Sequence, residues 1–149
     1  MFKIANSNSH NPVLILEDDA NLLPDFYKKT ENILHNIVGT WDILHVGYGF
    51  EPHDMCEMPT EKEHFCKKKP AVVLSCMHAY FINGAPAALK LLQTLNTETP
   101  EILDLRLNTA TSDYFVSVPK LALQFPFPSD NGNRIDQWEH GRTGLRFYN

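Results

Sequence analysis

Three consecutive acids, Glu17, Asp18 and Asp19, are the residues whose types and spacing could most directly do chemistry. They follow four apolar residues, 13–16, a pattern typical of a short strand that is buried on both faces. In open α/β sheets, ligands bind at the carboxyl ends of such strands. Adjacent carboxylates repel one another, and a divalent cation would relieve that repulsion. The alternative is a solvated acidic turn before the helix that follows.

Apolar periodicity predicts the elements that must position these acids. A helix is expected from Pro24 to Gly39, with Phe26 and Ile33 on its apolar face. The other predicted elements are strands at 41–47, 72–75 and 79–82, a long loop at 48–70, and a helix at 85–95 with Leu89, Leu92 and Leu95 toward the core. This alternation predicts an α/β layered fold in a single domain, residues 1–149, with an irregular tail at 126–149.

Composition limits the classes of function. A chain of 149 residues with 43% hydrophobic content suits one domain with an ordinary core. The net charge of −5 argues against nucleic acid as a partner, and the one basic run, Lys67 to Lys69, is predicted to be a solvated loop. The sequence has neither a membrane-spanning window nor the pattern of a signal peptide. We therefore expect a cytoplasmic protein, unless a lost N-terminal segment carried an address.

The cysteines are odd in number, so they cannot all pair within the chain. Free thiols and a reducing compartment are the expectation. The cysteines and their histidine neighbours are Cys56, Cys66, Cys76, His53, His64 and His78. A zinc site is conceivable there, but the spacing lacks a Cys-x-x-Cys knuckle. The simpler interpretation is a small buried Cys76, with the other two cysteines in a loop.

Several segments in order along the chain resemble glycosyltransferase family 25, which includes bacterial lipopolysaccharide glycosyltransferases and collagen galactosyltransferases. The segments are 14–20 with its three acids, Pro24-Asp25-Phe26, Trp41-Asp42-Ile43-Leu44, His78-Ala79-Tyr80-Phe81-Ile82, the helix beginning at Gly84-Ala85, Pro100-Glu101-Ile102-Leu103-Asp104, and Gln124 with Ser129-Asp130. The order and spacing of these pieces make the match more specific than any one of them.

The resemblance implies a GT-A-like mixed sheet flanked by helices, a UDP-hexose or related nucleotide-sugar donor, and Mn²⁺ or Mg²⁺. It implies that Asp19, with Asp18, binds the metal, and that Glu17 and Asp18 contact the ribose or complete the metal shell. The cation would neutralise the leaving diphosphate, and the inverting transfer would need a base. Asp104 is the expected base and Glu101 its substitute. The alternative for Asp104 is an ordinary carboxylate at the start of a helix.

Two further residues are candidates for the substrate site. His78 and Tyr80 would lie at the same sheet edge as the acids if their strands were parallel neighbours. For His78 a core histidine is the preferred interpretation, and a sugar or phosphate contact is the alternative. Tyr80 and Trp41 could each stack on a sugar or base, although aromatic residues in strands commonly fill the core. His140 is a weaker candidate for a late metal ligand.

Only twelve residues precede the first predicted strand, whereas the family has a βαβ portion there that holds much of the nucleotide. We therefore expect the C-terminal catalytic portion of the domain, with weak nucleotide affinity and little or no transfer activity on its own, and an open sheet edge that a partner could cover. The transferase hypothesis concerns a hexose such as galactose and a glycan or hydroxylated protein acceptor. Two alternatives stay open: a non-catalytic remnant that binds a glycan or partner, and a carboxylate-metal phosphohydrolase.

Overall fold

The computed structural model describes residues 11–49, 64–70, 72–74, 76–95 and 103–125. The expectations for Glu101, His140, the tail at 126–149 and residues 50–63 of the long loop lie outside these residues. The elements are β1 (Val13–Leu16), β2 (Ala20–Leu22), α1 (Phe26–Asn36), β3 (Ile43–Gly47), β4 (Phe65–Lys67), β5 (Ala79–Ile82), α2 (Gly84–Leu95), α3 (Leu103–Ala110), β6 (Tyr114–Ser117) and β7 (Ala122–Gln124).

The described strands form one mixed sheet in an α/β fold, which agrees with the predicted fold class at that level. The order is β1-β5-β3-β6-β4, and β7 pairs with both β2 and β3. β1 and β3 are each antiparallel to β5, whereas β6 and β7 run parallel to β3. β3 is therefore the central strand, and all five of its residues are buried.

Two hydrophobic clusters cover the two faces of the sheet. Leu91 of α2 and Leu107 of α3 pack in one cluster with Ile43. Phe26 and Ile33 of α1 pack in the other, together with Leu44. Since neighbouring strand residues point to opposite faces, β3 supplies both clusters from consecutive positions. The fold is thus a sheet between α1 on one side and α2 with α3 on the other.

The prediction that residues 13–16 form a strand buried on both faces is wrong. β1 is an edge strand whose pairing in the described sheet is with β5, and Val13 and Leu16 are 50% and 44% exposed. An apolar run indicates a strand, but the place of that strand in the sheet decides how far it is buried. The acids that follow β1 therefore lie at a partly open edge.

The second helix was predicted correctly in extent, and Leu95 packs against the core as expected, but Leu89 and Leu92 do not. Leu89 and Leu92 are each 51% exposed, and Leu91 is buried with a row of small residues: Gly84, Ala85, Ala87 and Ala88. Small side chains let a helix approach its neighbours closely, so the face that lacks large leucines packs against the core. Residues 72–74, expected in a strand, are irregular.

The basic run is not a solvated loop. Lys67 lies in β4 and pairs with Asp113 at 3.3 Å. Lys68 is buried, and its ammonium donates to the carbonyl oxygen of Val72 at 2.6 Å and lies 5.7 Å from the ring centre of Tyr114. Burial lowers the pKa of Lys68. The run thus ties β4 to the core instead of offering a basic surface.

Cys66 is disulfide-bonded and lies in β4, so the expectations of free thiols and of a loop position are both wrong for this residue. Its partner cysteine lies outside the described residues. Cys76 is exposed, which corrects the expectation of a small buried residue. None of the helices in the described ranges is long and apolar enough to cross a membrane.

Candidate functional site

The pairing of β1 with β5 brings the acidic turn beside His78. The two strands are antiparallel, with Leu16 opposite Ala79, so the carboxyl end of β1 meets the amino end of β5. The backbone N–H of Glu17 donates to the carbonyl oxygen of His78 at 2.9 Å. The condition of parallel neighbours is therefore not met, but the turn and His78 still lie at the same edge of the sheet.

α3 brings Asp104 to this edge through two residues one helical turn apart. The Asn108 side chain accepts from the N–H of Leu74 at 2.7 Å and donates to its carbonyl oxygen at 2.5 Å, holding the segment before β5 against the helix. One turn earlier, Oδ2 of Asp104 accepts from the N–H of Cys76 at 3.0 Å. Cys76 has a φ of 61°, which is uncommon for a residue with a Cβ. This clamp fixes the Asp104 carboxylate on the helix's first turn.

The four acids Glu17, Asp18, Asp19 and Asp104 form one electrostatic group, called here the acidic cluster. Burial raises the pKa of Glu17, and the charges of Asp19, Asp104 and Asp18 raise it further, in that order. Two segments far apart in sequence thus place their carboxylates within range of each other. No lysine, arginine or histidine forms an ion pair with these acids among the residues that the structure describes.

Asp19 is the acid of the cluster with the most structured surroundings. Its Oδ2 accepts from the side-chain amide of Gln124 at 2.6 Å, and its carbonyl oxygen accepts from the N–H of Phe125 at 2.8 Å. Its Oδ1 is buried and has no hydrogen-bond partner in the described ranges. A buried carboxylate oxygen without a donor is costly, because it has lost its water and gained nothing in return. A cation or a ligand donor at this oxygen would remove that cost.

A divalent cation fits this turn only with help from a ligand. Among the described residues, no three His, Cys, Asp or Glu side chains converge so as to hold a metal. Mg²⁺ and similar ions are commonly bound by one or two carboxylates plus the phosphates of a substrate. Asp19, with its unfilled oxygen, and Asp18, which is exposed in the same turn, are the side chains that would hold such an ion.

Tyr80 and His78 lie beneath the acidic cluster. Burial, followed by the charges of Glu17 and Asp104, raises the pKa of Tyr80 to about 12, so its hydroxyl keeps its proton. His78 is buried, as expected of a core histidine, and its Nε2–H donates to the carbonyl oxygen of Ala122 at 3.2 Å. A Cβ at Gly47 would lie 2.6 Å from the His78 ring, so only glycine leaves room for it. Burial lowers the pKa of His78.

His45 is a member of this region that the sequence analysis did not single out. It is fully buried on β3, and its Nδ1 lies 3.3 Å from the hydroxyl oxygen of Tyr114. Burial, and secondarily the charge of His78, lowers the pKa of His45 to about 3. The sequence does hint at His45, because it is the one polar side chain inside the apolar run at 43–47. The role of Asn108 has no such sequence signal, since its partner Leu74 is 34 residues away.

The predicted site residues thus divide into three groups. Glu17, Asp18, Asp19 and Asp104 come together with Tyr80 and His78 at one edge of the sheet. Trp41 packs in the core on the α1 face and does not join them. Glu101 and His140 lie outside the described residues.

Comparison with known proteins finds no match: no family model fits the chain, and no curated protein or solved structure is significantly similar to it.

Proposed function

We propose that this chain carries the catalytic edge of a metal-dependent glycosyltransferase, which moves a hexose from a nucleotide-sugar donor to a glycan or hydroxylated acceptor. The observation that carries the proposal is the acidic cluster, in which Asp104 and the turn at Glu17 approach each other with no ion pair to a basic side chain of the described residues. A carboxyl group whose pKa is raised by other acids gathered at the same edge, as for Glu17 here, is more typical of functional sites than of stabilising surface pairs.

A second observation supports the same assignment. Gln124 and Asp19 belong to separate segments of the resemblance to glycosyltransferase family 25, and their side chains are hydrogen-bonded at 2.6 Å. Contact between these distant segments is what a shared donor site requires. Asp19 and Asp18 would hold the cation, which supplies charge neutralisation for the leaving diphosphate when it is bound.

Asp104 is suited to accept the proton of the acceptor hydroxyl. Its Oδ2 is held by the N–H of Cys76, which fixes the carboxylate, and no described donor occupies Oδ1. A base needs a fixed position and a free lone pair within reach of the proton. Glu17, whose pKa is raised by burial and by its acidic neighbours, keeps its proton to a higher pH than an ordinary glutamate. Its place in the same turn as Asp18 and Asp19 would let it contact a ribose or sugar hydroxyl.

The test is release of UDP from UDP-hexoses by the whole chain with Mn²⁺ and a glycan acceptor. Asp104→Asn keeps an oxygen for the Cys76 N–H, so we expect it to fold and to bind donor as the wild type does. Its turnover should fall by about 10²- to 10⁴-fold, the usual contribution of a general base.

Asp42→Asn is the matched control, because Asp42 lies at the opposite end of β5 and should not affect turnover per folded molecule. Undiminished turnover by Asp104→Asn would show that another group is the base. A wild-type chain that neither binds nor hydrolyses any UDP-hexose at millimolar concentration would contradict the proposed function.

A further inference from the structure

A cavity of about 290 Å³ lies away from the acidic cluster, between α1 and the segment that connects β6 to β7. Its floor is apolar and includes Ile33, Val118, Pro119 and Leu121. Ile33 and Leu121 are almost completely buried, so this floor is part of the α1-side core and not a loose surface. A volume of this size is at the lower end of the range for small-molecule sites.

The rim of the cavity is cationic although the whole chain carries a net charge of −5. Lys28, Lys29 and His64 lie on it. The side chains of both lysines form no ion pair or hydrogen bond in the part of the chain that the structure describes. Lys67 and Lys90, by contrast, are each paired with a carboxylate. Two ammonium groups that have no partner among the described residues, at the mouth of an apolar cavity, are complementary to an anion with an apolar body.

We infer that this cavity binds a small amphiphilic anion, whose apolar body rests on the accessible part of the floor at Val118 and Pro119 and whose carboxylate, sulfate or phosphate group meets Lys28 and Lys29. The inference does not depend on the proposed transferase activity, because no residue of the acidic cluster lines the cavity.

The negative charge of Asp25 should oppose the binding of an anion in this cavity. Asp25 lies on the same rim, and its carboxylate makes no capping hydrogen bond to α1. Its φ of 63° is in the left-handed region, which asparagine tolerates as well as aspartate. Asp25→Asn therefore removes one negative charge from the rim without changing the backbone preference. Binding of an anion should become tighter in this variant.

The experiment uses anilinonaphthalene sulfonate, an aromatic sulfonate that fluoresces in apolar sites, titrated into the full chain. Phenylnaphthylamine has the same aromatic groups without the sulfonate and reports the apolar contribution alone. We expect the sulfonate to bind more tightly than the neutral compound, and Lys28→Gln with Lys29→Gln to weaken it by about tenfold. Asn32→Trp places a large side chain at the rim and should block both compounds.

Lys69→Gln is the matched control, since this exposed lysine is not on the rim. Changes in the backbone amide chemical shifts during an NMR titration locate the probe. We expect these changes in α1 and at Leu121. Equal losses from Lys69→Gln and the rim variants, or shifts confined to the exposed leucines of α2, would overturn it. So would Asp25→Asn binding the sulfonate no more tightly than the wild type.

Discussion

Carboxylates gather near both ends of β5, but only those near its carboxyl end are paired with lysines among the described residues. Beyond the carboxyl end, Asp42 accepts from Lys90 at 2.5 Å and from the hydroxyl of Thr111 at 2.5 Å, and Asp113 pairs with Lys67 at 3.3 Å. We call this group the neutralised corner. At the amino end lies the acidic cluster, which has no cation among the described residues.

The difference distinguishes a structural role from a functional one. In the neutralised corner each charge has a partner, and the N–H of Asn83 donates to the carbonyl oxygen of Asp42, so the group joins β3, β5 and α2. In the acidic cluster the mutual repulsion and the buried Oδ1 of Asp19 cost stability. Sites that bind charged ligands characteristically accept such a cost in the free protein.

The largest expected effect is on the response to acid. The folded-state pKa of His45 is about 3, below the ordinary 6.5, so the folded state binds fewer protons between those values. Stability from neutral His45 is therefore complete above pH 6.5 and lost as the pH falls toward 3. From pH 6.5 to 4.5 the loss should be roughly 2 kcal/mol, because the slope reaches about 1.4 kcal/mol per pH unit only once the unfolded histidine is fully protonated.

His45→Phe should reduce the loss of stability between those two pH values, measured by urea unfolding. The exposed His35 provides the control, and His35→Gln should leave the loss unchanged. If both variants behave as the wild type does, buried neutral histidine does not account for acid sensitivity near the acidic cluster.

The next largest expected effect is a difference in the free energy of unfolding between a variant of the neutralised corner and a variant of the acidic cluster. Asp42→Asn breaks a charge pair and a charge-assisted hydrogen bond, so the free energy of unfolding should fall by about 2 kcal/mol. Asp104→Asn retains an acceptor for Cys76 and relieves repulsion, so it should be neutral or slightly stabilising. Equal destabilisation by the two variants would remove the distinction between the two ends.

The smallest effect concerns Glu17. Its pKa is raised above 4.5, so the folded state keeps this proton longer and a stabilising contribution present below pH 4.5 is lost as the pH rises. Glu17→Gln should therefore raise the melting temperature at pH 7 by about 1 to 3 °C and have little effect at pH 4. A lower melting temperature at pH 7 would mean that the Glu17 carboxylate stabilises the fold.

Long apolar patterns predicted the elements near the centre of the sheet. β3, β5 and the extents of α1 and α2 follow from runs or periodicities that tertiary contacts reinforce. β2, β4 and β7 have three residues each and no such pattern. These short strands form because a neighbouring strand of the sheet supplies their backbone hydrogen bonds. The sequence of a short segment does not show which strand will lie beside it.

The candidate site was predictable in its residue types but not in its assembly. The acids at 17–19 were visible as a cluster, and Asp104 was chosen through the resemblance to a family. Its approach to Glu17 depends on the Asn108 clamp and on the antiparallel pairing of β1 with β5. Neither leaves a local signature, because both join segments far apart in sequence.

The central claim is that the acidic cluster binds a divalent cation, whose positive charge offsets both the carboxylates and a bound nucleotide diphosphate. The most direct measurement is the melting temperature of the whole chain with Mn²⁺ and UDP at millimolar concentration. Ligand at ten times its Kd stabilises the folded state by about 1.4 kcal/mol, which corresponds to a rise of roughly 3 to 6 °C. Asp19→Asn should abolish the rise, and Asp42→Asn should retain it from a lower starting temperature. An unchanged melting temperature in the wild type, or an undiminished rise in Asp19→Asn, would contradict the account.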